Sequence, residues 1–186
     1  MRILIKFFLV SLLFISCQAD DNDLSPDEIQ QNSEPINTEN YEEFIYLKLG
    51  TRDIIFGAGT KNQSEKKLGA ELVARYSRSG ELYHSLSFWG KMEETSSNEL
   101  QRLGGNIENF NGEGIYKTGK EQKNNCNFFD FGISWYSLYD TGEDGYLEIT
   151  LWDGENLKGN FDIMVYNAND KSQSKNITGE FKLKVQ

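Results

Sequence analysis

The chain has 186 residues, with 19 Lys and Arg against 29 Asp and Glu, giving a net charge of −10. That length fits one domain with its own hydrophobic core, and the acidic balance argues against a nucleic-acid partner, which needs a basic footprint. One histidine (His84) and two cysteines (Cys17 and Cys126) exclude any zinc site built from four His or Cys ligands, and leave a single base for a Ser–His or Cys–His machine.

Residues 1–16 begin with Arg2 and Lys6 and continue as an apolar run from Phe7 to Ile15. The run is too short to span a bilayer, which takes about 20 residues, and has the form of a signal-peptide core. Phe14-Ile15-Ser16-Cys17 resembles a lipobox, which implies cleavage before Cys17 and acylation of that cysteine. Gln18-Ala19-Asp20-Asp21-Asn22-Asp23 resembles the acidic export signal behind the lipidated cysteine of Bacteroidota-type surface lipoproteins. The same residues would also serve as a solvated acidic linker.

Segment 17–40 carries seven acidic residues and no basic one, holds both prolines, and lacks aromatics. It reads as a flexible tether. Without it and the leader, 41–186 carries 17 basic and 22 acidic residues, so the expected folded part is close to balanced. With Cys17 acylated, Cys126 has no partner for an intramolecular disulfide. Beside Phe128 and Phe129 it reads as a small buried hydrophobe.

From Tyr41 onward, aromatic and β-branched residues punctuated by glycine predict strands and tight turns. Strands are expected at 43–49, 53–58, 69–77, 81–89, 114–118 and 127–137. Gly50-Thr51-Arg52 and Ser77-Arg78-Ser79-Gly80 supply two hairpin turns. One short helix is expected at 96–104, where Ser96 and Glu99 have capping-box spacing, Leu100 and Leu103 share a face, and Gly104-Gly105 ends the run. In 127–137 the expected core face is Phe129, Phe131, Ile133 and Trp135, with Phe128 and Tyr136 pointing away.

The last third alternates most clearly. Leu147, Ile149 and Leu151 alternate with Tyr146, Glu148, Thr150 and Trp152. Beyond the Asp153–Asn156 turn, Phe161, Ile163 and Val165 oppose Asn160, Asp162, Met164 and Tyr166. Phe181, Leu183 and Val185 then alternate with Glu180, Lys182 and Lys184. A period of two repeated three times predicts an antiparallel meander with one buried face. The fold expected is an all-β sandwich of about nine strands with one short helix, or alternatively a small closed calycin-like barrel.

Three stretches of this ending, 145–150 (GYLEIT), 157–163 (LKGNFDI) and 177–181 (ITGEF), together with Phe110–Tyr116 upstream, resemble a recurrent domain of small Bacteroidota-type lipoproteins with no assigned function. The resemblance covers about 110–186, with Asn160 where the family favours a small hydroxyl residue. It implies fold and envelope location and carries over no catalytic residues.

The chemistry-bearing residues are sparse. The acidic loop Asp140–Gly145 suggests calcium, but Gly142 and Leu151 fall where an EF-hand-like loop needs ligands, and a hairpin turn explains the composition. His84 and Ser85 are neighbours in a strand and point to opposite faces, so they cannot form a catalytic pair, and no Gly-x-Ser-x-Gly elbow occurs. His84 is expected half-buried. Aromatic residues on the polar-side parity are the strongest lead. Tyr146 and Trp152 on one strand, with Met164 and Tyr166 on the next, are expected on one sheet face that could stack a sugar or seat a partner side chain. The expected function is therefore a monomeric, non-catalytic binding module without metal or cofactor. It is expected to be held at the outer membrane by its lipid anchor, with a glycan or envelope protein as ligand. A protein-interaction or immunity-type lipoprotein, and a barrel carrying a small apolar ligand, are the alternatives.

Overall fold

The computed structural model describes residues 37–58, 67–93, 99–119, 122–137 and 145–186. The leader, Cys17, most of the 17–40 segment, Tyr139 and the loop positions 140–144 lie outside the described residues.

A 3-10 turn at Thr38–Asn40, capped by the Asn37 side chain accepting from the Glu39 N–H at 2.9 Å, leads into the strands, eleven among the described residues. They are β1 Glu43–Leu49, β2 Arg52–Ala58, β3 Lys67–Tyr76, β4 Leu82–Glu93, β5 Glu99–Ile107, β6 Gly114–Lys117, β7 Asn125–Asp130, β8 Ile133–Tyr136, β9 Gly145–Trp152, β10 Asn156–Asn167 and β11 Ser174–Lys184. The sheet order is β2-β1-β11-β10-β8-β7-β5-β4-β3, and β9 and β6 branch from β10. All strand pairs are antiparallel.

The branch exists because β10 is long. One flank pairs with β11 along nearly its whole length, while the other pairs with β9 over 157–163 and then with β8 at Tyr166 and Asn167. Tight turns set the registers of the hairpins. Gly50, at φ +60°, turns β1 into β2 with the left-handed backbone that glycine adopts without strain.

The sheet curls into a half-barrel. Val185, just past β11, bridges Ala70 of β3 in parallel, and the Gln186 N–H donates to the Ala70 carbonyl at 3.0 Å. Across the interior, Phe88 of β4 stacks on Phe181 of β11 with centroids 4.6 Å apart. Phe56, Ile45, Leu47, Leu103, Ile107, Phe128, Leu147 and Ile149 complete a filled core. Glycines make room for its rings: a Cβ on Gly105 would overlap Phe88, and one on Gly159 would overlap Phe181. The inside of the half-barrel is packed side chain.

The all-β, antiparallel architecture agrees with the alternation of the sequence, but two local expectations do not hold. Of the helix expected at 96–104, residues 96–98 lie outside the described residues and 99–104 belong to β5, whose Leu103, Gly105 and Ile107 face the core. Gly104 and Gly105 do not end a helix. They let β5 pass close to its neighbours, with Gly105 beneath Phe88. In 127–137, the left-handed pair Phe131 (φ +45°) and Gly132 (φ +90°) turns the chain between β7 and β8. This turn resets the parity. Phe128 is buried and Trp135 is 3% exposed, whereas Phe131 and Ile133, expected inside, are 62% and 41% exposed.

Candidate functional site

The four residues singled out on β9 and β10 do not all share a face. The register runs Tyr146↔Asp162, Glu148↔Asn160 and Gly159↔Ile149, then shifts so that Lys158 pairs with Leu151 and Trp152 with Leu157. Thr150 is the extra residue of a β-bulge, and one inserted residue reverses the facing of everything beyond it. Leu151 therefore takes the outer side with Lys158. Trp152 packs against the core, meeting Phe110 edge-on at 5.5 Å, while Phe110 stacks on Tyr116 at 5.8 Å. This corrects the expected placement of Trp152, which covers one end of the core. Tyr146, Met164 and Tyr166 keep the outer face.

That face extends further than the β9–β10 hairpin. A single cross-strand row runs Gly69 (β3), Trp89 (β4), Gly104 (β5), Asn127 (β7), Tyr136 (β8), Tyr166 (β10) and Ser174 (β11). Trp89, Asn127, Tyr136 and Tyr166 each have buried residues on either side of them in the chain, such as Phe88 before Trp89 and Val165 before Tyr166. The row therefore lies on the side away from the core. The Trp89 indole lies against Gly69, whose Cβ, were there one, would sit 3.0 Å from the ring. With glycine opposite it, no side chain of β3 separates the ring from the sheet at that position. Trp89 and Tyr136 are three strand spacings apart, about 14 Å, and Tyr136 and Tyr166 are direct neighbours. Met164 and Tyr146 continue the same surface past Tyr166.

Polar groups border the row. Ser85 and Ser87 both donate to Asn106 Oδ1 at 3.1 Å, which fixes that carboxamide on the outer face of β5. Beside it, Arg75, Tyr83, Ser85, Asn106 and Glu108 line a small cleft of about 210 Å³. On the β9 side, Asn160 Nδ2 donates to Glu148 Oε2 at 2.8 Å. Amides and hydroxyls, with Arg75, Glu108 and Glu148 among them, around half-buried rings suit a ligand with an apolar face and many hydroxyls, where the rings supply area and fixed amides supply direction.

Among the described residues, His84 and Ser85 do not form a catalytic pair. His84 is exposed rather than half-buried, and Ser85 beside it is buried on the opposite face. Among the described residues no group of three His, Cys, Asp or Glu could hold a metal ion. Cys126 is 1% exposed, and burial pushes its thiol up to about 12, far from a reactive thiolate.

Asp130, at the end of β7, is a buried carboxylate with partners on three other strands. Arg52 holds it with two hydrogen bonds of 3.0 and 3.1 Å, Gln101 donates at 3.0 Å, and Lys175 Nζ stands 3.8 Å away. Burial opposes ionisation, but these partners outweigh it and hold the carboxyl below its usual range. The group ties β2, β5, β7 and β11 together. On the outer side of β1, Tyr46 donates to Asp53 at 2.6 Å, which raises the phenol to about 12, with burial adding to the effect.

Sequence reasoning expected Tyr146, Met164 and Tyr166 on one sheet face, and they share it. It expected Tyr136 to point away from the core without joining it to this face, and had Trp89 only as the last residue of the strand expected at 81–89. The missing signal was register, since Trp89, Tyr136 and Tyr166 lie far apart in the chain and meet only through the pairings of β5, β7 and β8. Set against known protein families, curated proteins and solved structures, the chain finds no match.

Proposed function

We propose that residues 41–186 form a non-catalytic binding module, tethered through a lipid anchor at Cys17 to the outer membrane, that holds a glycan on its outer sheet face. The observation that carries the reading is the row Trp89–Gly104–Asn127–Tyr136–Tyr166, which places two aromatic stations on one surface with an amide between them. The filled interior supports a surface site over an enclosed carrier cavity, because the volume inside the half-barrel is taken by Phe56, Phe88 and Phe181. Envelope location rests on the leader, the lipobox-like Phe14–Cys17 and the acidic run behind it. An envelope-protein ligand is the second reading. It is favoured by Tyr76 and Leu82, cross-strand partners at the tip of the β3–β4 hairpin that are 74% and 56% exposed.

The test is direct binding of a panel of neutral and acidic oligosaccharides, comparing the wild type with Trp89→Ala and Trp152→Ala. The reading expects Trp89→Ala to lose binding while keeping its melting temperature within a few degrees. It expects Trp152→Ala to melt earlier yet still bind when folded. Glycan binding untouched by Trp89→Ala would remove the proposed face, and turnover of any oligosaccharide would replace binding with catalysis.

A further inference from the structure

We propose that the cleft between the β1–β2 turn and β11 is an oxyanion site that takes a phosphate or sulfate group. The cleft measures about 590 Å³, and its polar lining consists of Lys48, Arg52, Lys175, Asn176 and Thr178. The lining contains three cations and no carboxylate, although the chain as a whole carries a net charge of −10. A concavity walled by one sign of charge focuses its field into the opening, so its pull on an anion exceeds what the overall charge suggests.

Two of the three cations are already positioned. Arg52 is clamped by both Asp130 oxygens, and its guanidinium carbon stands 5.8 Å from the Phe131 ring centre. Lys175 Nζ lies 4.1 Å from the centre of the Trp135 ring and 3.8 Å from Asp130. Ordering such long side chains is the usual cost of binding an anion, and here the fold has met most of it. Asp130 stands behind these cations and balances one charge. Asp53, which accepts from Tyr46, is the cross-strand partner of Lys48, and Asp162 is that of Thr178, both outside the lining. Lys48 supplies the third cation of the cleft. Thr178 and Asn176 add a hydroxyl and an amide beside it, so a tetrahedral oxyanion would meet charged and neutral donors from three strands, β1, β2 and β11.

The site does not depend on the aromatic face, although it adjoins it, since Asn176 pairs directly with Met164. The shared chemistry is a phosphate or sulfate ester, which could come from a substituted sugar or from a lipid headgroup.

The test titrates inorganic phosphate and sulfate into the ¹⁵N-labelled full chain, with chloride holding ionic strength constant. The expected result is saturable shifts confined to the amides of Gly50, Arg52, Asn176 and Thr178. Lys48→Gln and Thr178→Val, which leave the Asp130 cluster intact, should each weaken binding about two- to fivefold. Shifts that do not saturate, that chloride reproduces, or that survive Lys48→Gln unchanged would overturn the proposal. A sulfated against an unsulfated sugar, and phosphatidylglycerol against phosphatidylcholine vesicles, then separate the sources. Saturation by either anionic member alone supports the site and names its ligand. If neither competes with inorganic phosphate, the site as a ligand site is overturned.

Discussion

Gly104 and Gly105 are adjacent in β5 but face opposite sides, so their alanine variants should behave very differently. Neither glycine has a left-handed backbone, so alanine is allowed at both and only space decides. On the inner side, a Cβ at Gly105 would overlap the Phe88 ring. That ring is 1% exposed and stacked on Phe181 at 4.6 Å, and it cannot withdraw without displacing a second buried ring. Overpacking of this kind costs about 1–3 kcal/mol. For a domain of this size each kcal/mol moves the melting temperature by about 2–4 °C, so Gly105→Ala should melt several degrees lower, up to about 12 °C. On the outer side, a Cβ at Gly104 would sit 3.1 Å from Asn127 Oδ1, the end of a half-buried side chain that can give way. Losing glycine there also reduces the entropy of the unfolded chain, a gain of about 0.4–1 kcal/mol. Gly104→Ala should therefore fall within about 3 °C of wild type. The assay is thermal unfolding by far-UV circular dichroism. Equal losses in the two variants, or a neutral Gly105→Ala, would refute the assignment of the two faces.

Asp130→Asn should cost about 1–2 kcal/mol, moderated because Arg52 is 46% exposed, and urea titration measures it. The Asp130 and Asp153 carboxyls both ionise below their ordinary range, Asp153 at about 2 through the Asn156 backbone N–H first and the Asn156 side chain next. Their stabilisation is thus complete above the unfolded carboxylate value near pH 4. It is lost as pH falls through the lower folded values, and melting scans from pH 6 to pH 2 should show the decline beginning below about pH 4. Cys126 should react with a thiol reagent only as fast as the domain opens, so urea should accelerate labelling steeply; rapid labelling of the folded chain would contradict its burial. Cys17→Ser should move the protein from the membrane fraction to the soluble envelope fraction, and continued membrane retention would refute the anchor.

Much of the fold is legible in the sequence because antiparallel strands with one buried face write their period directly into it. The three C-terminal strands were read in this way. What escaped are the points where a single residue breaks the period. The Thr150 bulge inverts Trp152, and alternation alone cannot register it because Leu151 and Trp152 are both apolar enough for either side. The Phe131–Gly132 turn is hidden inside an aromatic run, since phenylalanine rarely adopts positive φ. The Gly104–Gly105 pair reads as a helix stop because glycine ends helices more often than it sits beneath a core ring. The site was half legible for a different reason. Tyr146, Met164 and Tyr166 lie within one hairpin, whereas Trp89 and Tyr136 reach them through pairings set by the curl of the whole sheet.

The most direct test of the outer face as a binding surface is amide shift mapping of the ¹⁵N-labelled protein with an oligosaccharide that binds it. The account predicts shifts along Gly69, Trp89, Gly104, Asn127, Tyr136 and Tyr166, spreading to Met164 and Tyr146, with Trp152 and Phe110 unmoved. Shifts centred on Trp152 and Phe110, or on residues lining the interior, would contradict it.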